Sequence, residues 1–90
     1  MTRAIITVVG KDTVGIIAKV CTYLSEKQIN ILDISQTIVQ EYFNMMMIVD
    51  MSKCNTTFDK VSADLTQIGE GMGVQVNGQL EDIFDKMHRI

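Results

Sequence analysis

The chain has 90 residues, of which 47% are hydrophobic and 21% charged, the composition of one folded domain with one core and not of a disordered segment. A net charge of −3 gives no electrostatic drive toward nucleic acid or an anionic membrane, and no stretch approaches the ~20 apolar residues of a membrane span. The expected partners are small molecules and further copies of the chain.

Residues 3 to 9, RAIITVV, are short and rich in β-branched side chains, which predicts a buried strand. The turn GKDT follows. Val14, Ile17, Cys21 and Leu24 then recur at spacings of three and four, which predicts an amphipathic helix to about Lys27 with Lys19, Ser25 and Glu26 outside. Residues 30 to 40 alternate, with Leu32, Ile34 and Ile38 on one face and Asp33, Ser35 and Thr37 on the other. Residues 42 to 51 also alternate, with Phe43, Met45, Met47, Val49 and Met51 on one face and Met46 and Ile48 on the other. A tight connection at Gln40 and Glu41 joins the two strands as an antiparallel hairpin.

Thr56 with Asp59 fits a capping box that opens a second helix. Phe58, Val61, Leu65, Ile68 and Met72 form its buried stripe, and Gly69, Gly71 and Gly73 end it. A last strand spans residues 73 to 79 around Val74 and Val76. Leu80, Ile83, Phe84 and Met87 predict a terminal amphipathic helix.

The order is strand, helix, strand, strand, helix, strand. It predicts an α+β, ferredoxin-like βαββαβ fold, with a four-stranded antiparallel sheet and both helices on one face. The domain occupies residues 1–79 and a C-terminal helical extension residues 80–90. Apolar residues on the bare sheet face need a cover, from the tail helix or from another copy.

Two cysteines, Cys21 and Cys54, lie in no CxxC motif and have no histidine at ligand spacing. They read as reduced structural thiols. The N-terminal MTRAIITVVGKD lacks the apolar length and cleavage site of a signal peptide, so a cytoplasmic protein is expected.

The GKDTVG turn is the first candidate site. With Asp12 or Thr13 as cap, Gly15 falls in the first helical turn, where glycine costs about 0.5–1 kcal/mol relative to alanine. Close approach of a ligand to bare backbone explains such a glycine; so does tight helix-on-strand packing. The second helix carries Asp59 in its first turn, whereas the first has only Val14, Gly15 and Ile16 there. Its positive end is open to a carboxylate or phosphate. That end contributes no more than ~2 kcal/mol, and micromolar affinity needs about 8, so further contacts must converge. Asn30, at the start of the second strand, reads on spacing alone as a residue leaving a helix. It meets a ligand across a subunit interface if a neighbour brings its own turn close.

Other features have plainer readings. GEGMG, residues 69–73, has the wrong spacing and context for a dinucleotide fingerprint. Alternating methionines are core filler before they are a metal site. His88 has no carboxylate partner in an apolar pocket, and Glu81, Asp82 and Asp85 suit a helix start. No nucleophile elbow or paired base is present. No catalytic residue, metal site or cofactor is expected. The strand YFNMMMIVD lacks the basic, aromatic character of an RNA-recognition strand.

TVVGKDTVGIIAKVCTYLSEKQINILDISQT resembles the start of an ACT domain, the small-molecule-sensing module of amino-acid metabolism. The pattern is an apolar strand, a Gly-x-Asp-x-x-Gly turn, an apolar helix and Asn-Ile opening the next strand. It extends over roughly residues 3 to 79. With DISQT, EYF and the tail, the whole chain resembles the stand-alone small ACT-domain proteins of the UPF0237 type, related to the ACT modules of glycine-cleavage regulators. The resemblance implies a homo-oligomer that binds an amino acid or another small metabolite between subunits. It implies ligand contacts at Asp12, Val14, Gly15 and Ile16 of the turn, with Asn30 and Ile31 from the partner's strand. It implies a regulatory module whose output passes through another protein, or alternatively one that serves assembly and binds no ligand.

Overall fold

A computed structural model of the chain describes residues 2–11 and 15–81. The elements are β1 (Arg3–Lys11), α1 (Ile16–Glu26), β2 (Asn30–Val39), β3 (Tyr42–Asp50), α2 (Phe58–Met72) and β4 (Gln75–Leu80). The sheet order is β2-β3-β1-β4, and every neighbouring pair is antiparallel. Strands β1 and β2 therefore point the same way, and α1 crosses between them as a βαβ connection. This is the ferredoxin-like α+β arrangement.

The core lies between the sheet and the two helices. Alternation in β3 sends Phe43, Met45, Met47 and Val49 toward the helices, where they join Ala4, Ile6 and Val8 of β1. Met51 lies just past the strand end and is buried with them. The central strands thus bury one face fully, as the period-two pattern predicts.

Helix α1 departs from the predicted stripe. Its buried residues are Ile16, Val20 and Leu24, while Ile17 is 38% exposed and Cys21 only half-buried. Val14 lies outside the described residues. The segment IIAKVCTYLSE carries two apolar rows one residue apart, and both satisfy helical spacing. The direction in which the chain enters the helix decides which row meets the sheet.

Helix α2 is capped by Thr57, whose hydroxyl accepts from the Lys60 N–H at 3.3 Å. The capping box of Thr56 and Asp59 does not form; Asp59 remains in the first turn and favours the positive end there. Gly69 and Gly71 lie inside this helix, which continues to Met72 and ends at left-handed Gly73, φ 74°. A Cβ on Gly69 would stand 2.6 Å from the Val74 carbonyl oxygen. Glycine is required there by close approach to the chain entering β4, not as a helix stop. Val74 precedes β4, and Leu80 closes that strand and does not open the tail helix. Residues 82–90, with Ile83, Phe84, Met87 and His88, lie outside the described residues.

Strand β2 forms an edge of the sheet. Nine of its ten residues are exposed, and only Ile31 is half-buried. The register with β3 shifts between Ile31 and Asp33, leaving Leu32 as the extra residue of a bulge and outside the alternation expected of it. Beyond the bulge Ile34 pairs with Met47 and Ile38 with Phe43, so both face the helix side. They are nevertheless 44% and 55% exposed. The connection to β3 is the expected two-residue turn, with Gln40 at φ 56°.

Candidate functional site

The two glycines of the β1–α1 connection serve different purposes. A Cβ on Gly10 would stand 2.7 Å from Val74 Cγ1 and 3.1 Å from its Cα, so this glycine permits β1 to pass tightly beneath the start of β4. Gly15 is not in the first helical turn; it is the N-cap itself, at φ 89° and ψ −3°. Among the described residues an added Cβ would meet only the Met72 methyl, at 3.9 Å. None of these residues packs closely enough to call for glycine there. The left-handed backbone does, because L side chains pay about 1–2 kcal/mol in that region.

Having no side chain, Gly15 cannot cap α1, and no acid sits in the first turn. The turn begins with Ile16, buried in the core, and Ile17, half open to solvent. The partial positive charge of this helix end is therefore not neutralised by its own first-turn side chains. Asp12 and Val14, expected to flank the site, lie outside the described residues.

Asn30 and Ile31 lie at the opposite end of α1. Lys27 N–H donates to the Tyr23 carbonyl, Gln28 N–H to Ser25, and Ile29 N–H to Leu24. Gln28 takes the left-handed conformation, φ 60°, that lets the chain leave the helix. The role of departing residue, read for Asn30 from spacing, belongs to Gln28. Asn30 is already the first residue of β2, paired with Asp50 and exposed. It lines an open recess of about 430 Å³ with Cys21, Ser25, Gln28, Ile29 and Ile31, within the ~300–1,000 Å³ of small-molecule sites.

The structure therefore brings Gly15 and Ile16 together, and Asn30 and Ile31 together, but separates the two pairs. Between them runs an 11-residue helix, about 16 Å long at 1.5 Å per residue. Cys21, Ser25 and Gln28 were missed as neighbours of Asn30. The only signal for them was that Cys21 and Ser25 follow Ile17 at four-residue spacing, along the row of α1 turned away from the core.

A polar strut joins the two helices. The Tyr23 hydroxyl donates to Asp64 Oδ2 at 2.6 Å, and Lys60 Nζ contacts Asp64 Oδ1 at 2.6 Å. Lys27 Nζ stands 5.8 Å from the Tyr23 ring centre. Burial, and then the bond to Asp64, pushes the Tyr23 phenol above its ordinary range. The Lys60 bond, and then that of Tyr23, holds Asp64 below the ordinary carboxylate value. At the far end of β3, the Ser52 hydroxyl and N–H both donate to Asp50 and lower its carboxyl likewise. Each perturbation has a structural partner that accounts for it. Among the described residues no group of three or more His, Cys, Asp or Glu is placed to hold a metal ion, and no helix is long and apolar enough to cross a membrane.

A crossover helix on one face of a four-stranded antiparallel sheet, in the order βαββαβ, is the architecture of small α+β domains of the ferredoxin-like class. The chain belongs to the ACT domain family, whose pattern it matches over residues 2–79. It is 58% identical to a UPF0237 protein of Bifidobacterium longum over 90 residues, the whole of both chains. The ACT domain protein of Streptococcus pneumoniae superposes with a TM-score of 0.80 at 42% identity, over 93% of this chain and 94% of that one. A candidate glycine cleavage system transcriptional repressor shares the fold, with a TM-score of 0.73 at 21% identity, over 88% of this chain and 45% of its own.

Proposed function

We propose that this chain is a cytoplasmic ligand-sensing regulatory module, not an enzyme, that works as a homo-oligomer and binds a free amino acid between subunits. The observation that carries the reading is the separation of Gly15 from Asn30 by the full length of α1. Because α1 runs antiparallel to β2, Gly15 lies toward the Val39 end of that strand and Asn30 begins it. Pairing β2 with the β2 of a second copy, antiparallel about a two-fold axis, sets the partner's Asn30 opposite Val39. That is the level of Gly15. Two equivalent sites result, each with the open helix end of one copy and the Asn30 recess of the other. The ligand carboxylate meets the N–H groups at the start of α1, and the partner's Asn30 and Ile31 hold the remainder.

The free edges of the sheet differ in a way that supports this pairing. Strand β2 is long and exposes Leu32, Ile34, Ile38 and Val39. Strand β4 is six residues, QVNGQL, with no large apolar side chain among the exposed ones. A long apolar edge without lysine or proline is an edge that needs a partner. The regulatory output then passes to another protein.

The test is thermal unfolding of the purified chain with each of the twenty amino acids and a set of nucleotides at millimolar concentration. A ligand at 100 times its Kd adds about 2.7 kcal/mol, which raises Tm by about 10 °C or more in a domain of this size. The expected result is a rise with one amino acid or a few related ones. A flat response to every compound would favour the second reading, an assembly module that binds no ligand. Exposed Ile34 and Ile38 are consistent with either. Ile38→Asp should dissociate the oligomer in both cases, and an unchanged oligomer in sedimentation would refute the β2 interface.

A further inference from the structure

Helix α1 divides its polar side chains between two sides. Lys19 and Glu26 line a recess toward α2, together with Tyr23 and Ile68. Lys27 Nζ rests over the Tyr23 ring, and Tyr23 bonds to Asp64 of α2. These charges gather on the α2 side. The β2 side differs. The recess there is lined by Cys21, Ser25, Gln28, Ile29, Asn30 and Ile31, and among the described residues no Lys, Arg, Asp or Glu lines it.

We propose that the ligand is a zwitterionic amino acid whose side chain is uncharged and carries a hydroxyl or a carboxamide, and that Ser25 and Gln28 select it. This rests on the intersubunit ligand site proposed above and specifies what that site takes.

Neither end of α1 has a counter-charge in its own terminal turn. No acid lies in the first turn and no base in the last, and Lys27 just beyond it turns to Tyr23. Two copies paired through β2 hold their α1 helices antiparallel. The positive end of one α1 then faces the negative end of the other across the site. A zwitterion matches that field, with its carboxylate at Gly15 of one copy and its ammonium toward the recess of the other.

The carbonyls around the recess are already engaged. Those of Tyr23, Leu24 and Ser25 accept from the N–H groups of Lys27, Ile29 and Gln28, and those of Glu26 and Lys27 accept from Asn55. Directional contacts to a ligand therefore fall to side chains. The Ser25 hydroxyl and the Gln28 carboxamide each donate and accept, as a ligand hydroxyl or carboxamide does. A side-chain carboxylate only accepts, and a second ammonium only donates. Either one, enclosed by the partner, is desolvated with no opposite charge among the lining residues described. An aliphatic side chain avoids that penalty but leaves Ser25 and Gln28 unpaired when the partner closes the recess, which is how a site built for hydrogen bonds rejects an analogue lacking them. Ile29, 5% exposed, forms an apolar floor beneath these groups.

Calorimetry on the full chain with the twenty amino acids tests the selection. Serine, threonine, asparagine or glutamine should bind at least tenfold tighter than any charged or aliphatic amino acid. The corresponding 2-hydroxy acid, which lacks the ammonium, should bind at least tenfold more weakly. Tightest binding of a charged or aliphatic amino acid would overturn the selection and leave the intersubunit site standing. Silence from all twenty would refute the site itself, and the selection with it. Ser25→Lys tests the placement. Ser25 is exposed in the last turn of α1, where a base is favourable, so Tm and oligomer mass should hold. Affinity for the neutral ligand should fall at least tenfold, while aspartate or glutamate gains. Gln28→Gly is the second variant: glycine accepts φ 60°, so the turn is kept and only the carboxamide is lost. A severalfold loss of affinity is expected. Parental affinity in either variant would overturn the placement.

Discussion

Gly69→Ala and Gly71→Ala make the same chemical change two residues apart in α2, and the structure assigns them opposite signs. In a helix interior this change ordinarily gains about 0.8–1 kcal/mol. At Gly71 the added methyl meets nothing within 4 Å among the described residues, so the gain stands at about 0.5–1 kcal/mol near the helix end. At Gly69 it would lie 2.6 Å from the Val74 carbonyl oxygen, 2.9 Å from Val76 Cγ2 and 3.1 Å from the Val76 N. Two of these atoms are backbone, and the Val74 N–H is bonded to the Gly69 carbonyl at 2.9 Å. Relief therefore requires the helix to move off β4. Overpacking of this kind costs about 1–3 kcal/mol, and rigid neighbours place it at the upper end. Subtracting the propensity gain leaves a net loss of about 1–2 kcal/mol. At about 4–8 °C per kcal/mol, Gly71→Ala should raise Tm by a few degrees and Gly69→Ala should lower it by about 5–15 °C. Thermal and urea unfolding at one fixed protomer concentration check this, because an oligomer's midpoint depends on concentration. A Gly69→Ala chain as stable as the parent would refute the close approach of α2 to β4.

Gly15→Val confounds strain with steric blocking, because any β-branched residue resists φ 89°. Gly15→Asn separates them: asparagine tolerates the left-handed region, so its Tm should stay near the parent while its side chain occupies space at the start of α1 where the ligand is proposed to bind. Loss of calorimetric ligand binding with Tm retained is expected, and binding at parental affinity would refute a site at that helix end. The Tyr23–Asp64 strut predicts the pH response. The raised Tyr23 phenol keeps its proton in the fold when the unfolded chain releases it, so stability is full below about pH 10 and declines above it. Tyr23→Phe should flatten that alkaline limb of the Tm profile; an unaltered limb refutes the assignment. The depressed carboxyls of Asp64 and Asp50 act at the other end, with stability present above about pH 4 and lost as they protonate on acidification.

Much of the fold was legible because its signals are local. The alternation of β3 marked Phe43, Met45, Met47 and Val49 as one face, and these are the side chains beneath the helices. The lack of an acid in the first turn of α1, beside Asp59 in α2, was likewise a matter of reading the chain. Less legible was any feature shared by two equally good local patterns. Thr56 and Thr57 are both able caps, and the hydroxyl that reached the Lys60 N–H was that of Thr57.

The sequence by itself determined the order of strands and helices, the inward face of β3, and a first helix with no acid in its first turn. Each follows from periodicity and residue chemistry within a few neighbours. Tertiary structure decided which apolar row of α1 is core, that Gly10 and Gly69 admit close backbone while Gly15 turns it left-handed, and that Asn30 stands a helix length from Gly15. It also made β2 the exposed edge. These depend on where a distant part of the chain comes to rest, since coverage and clearance are properties of pairs of elements, not of either one alone.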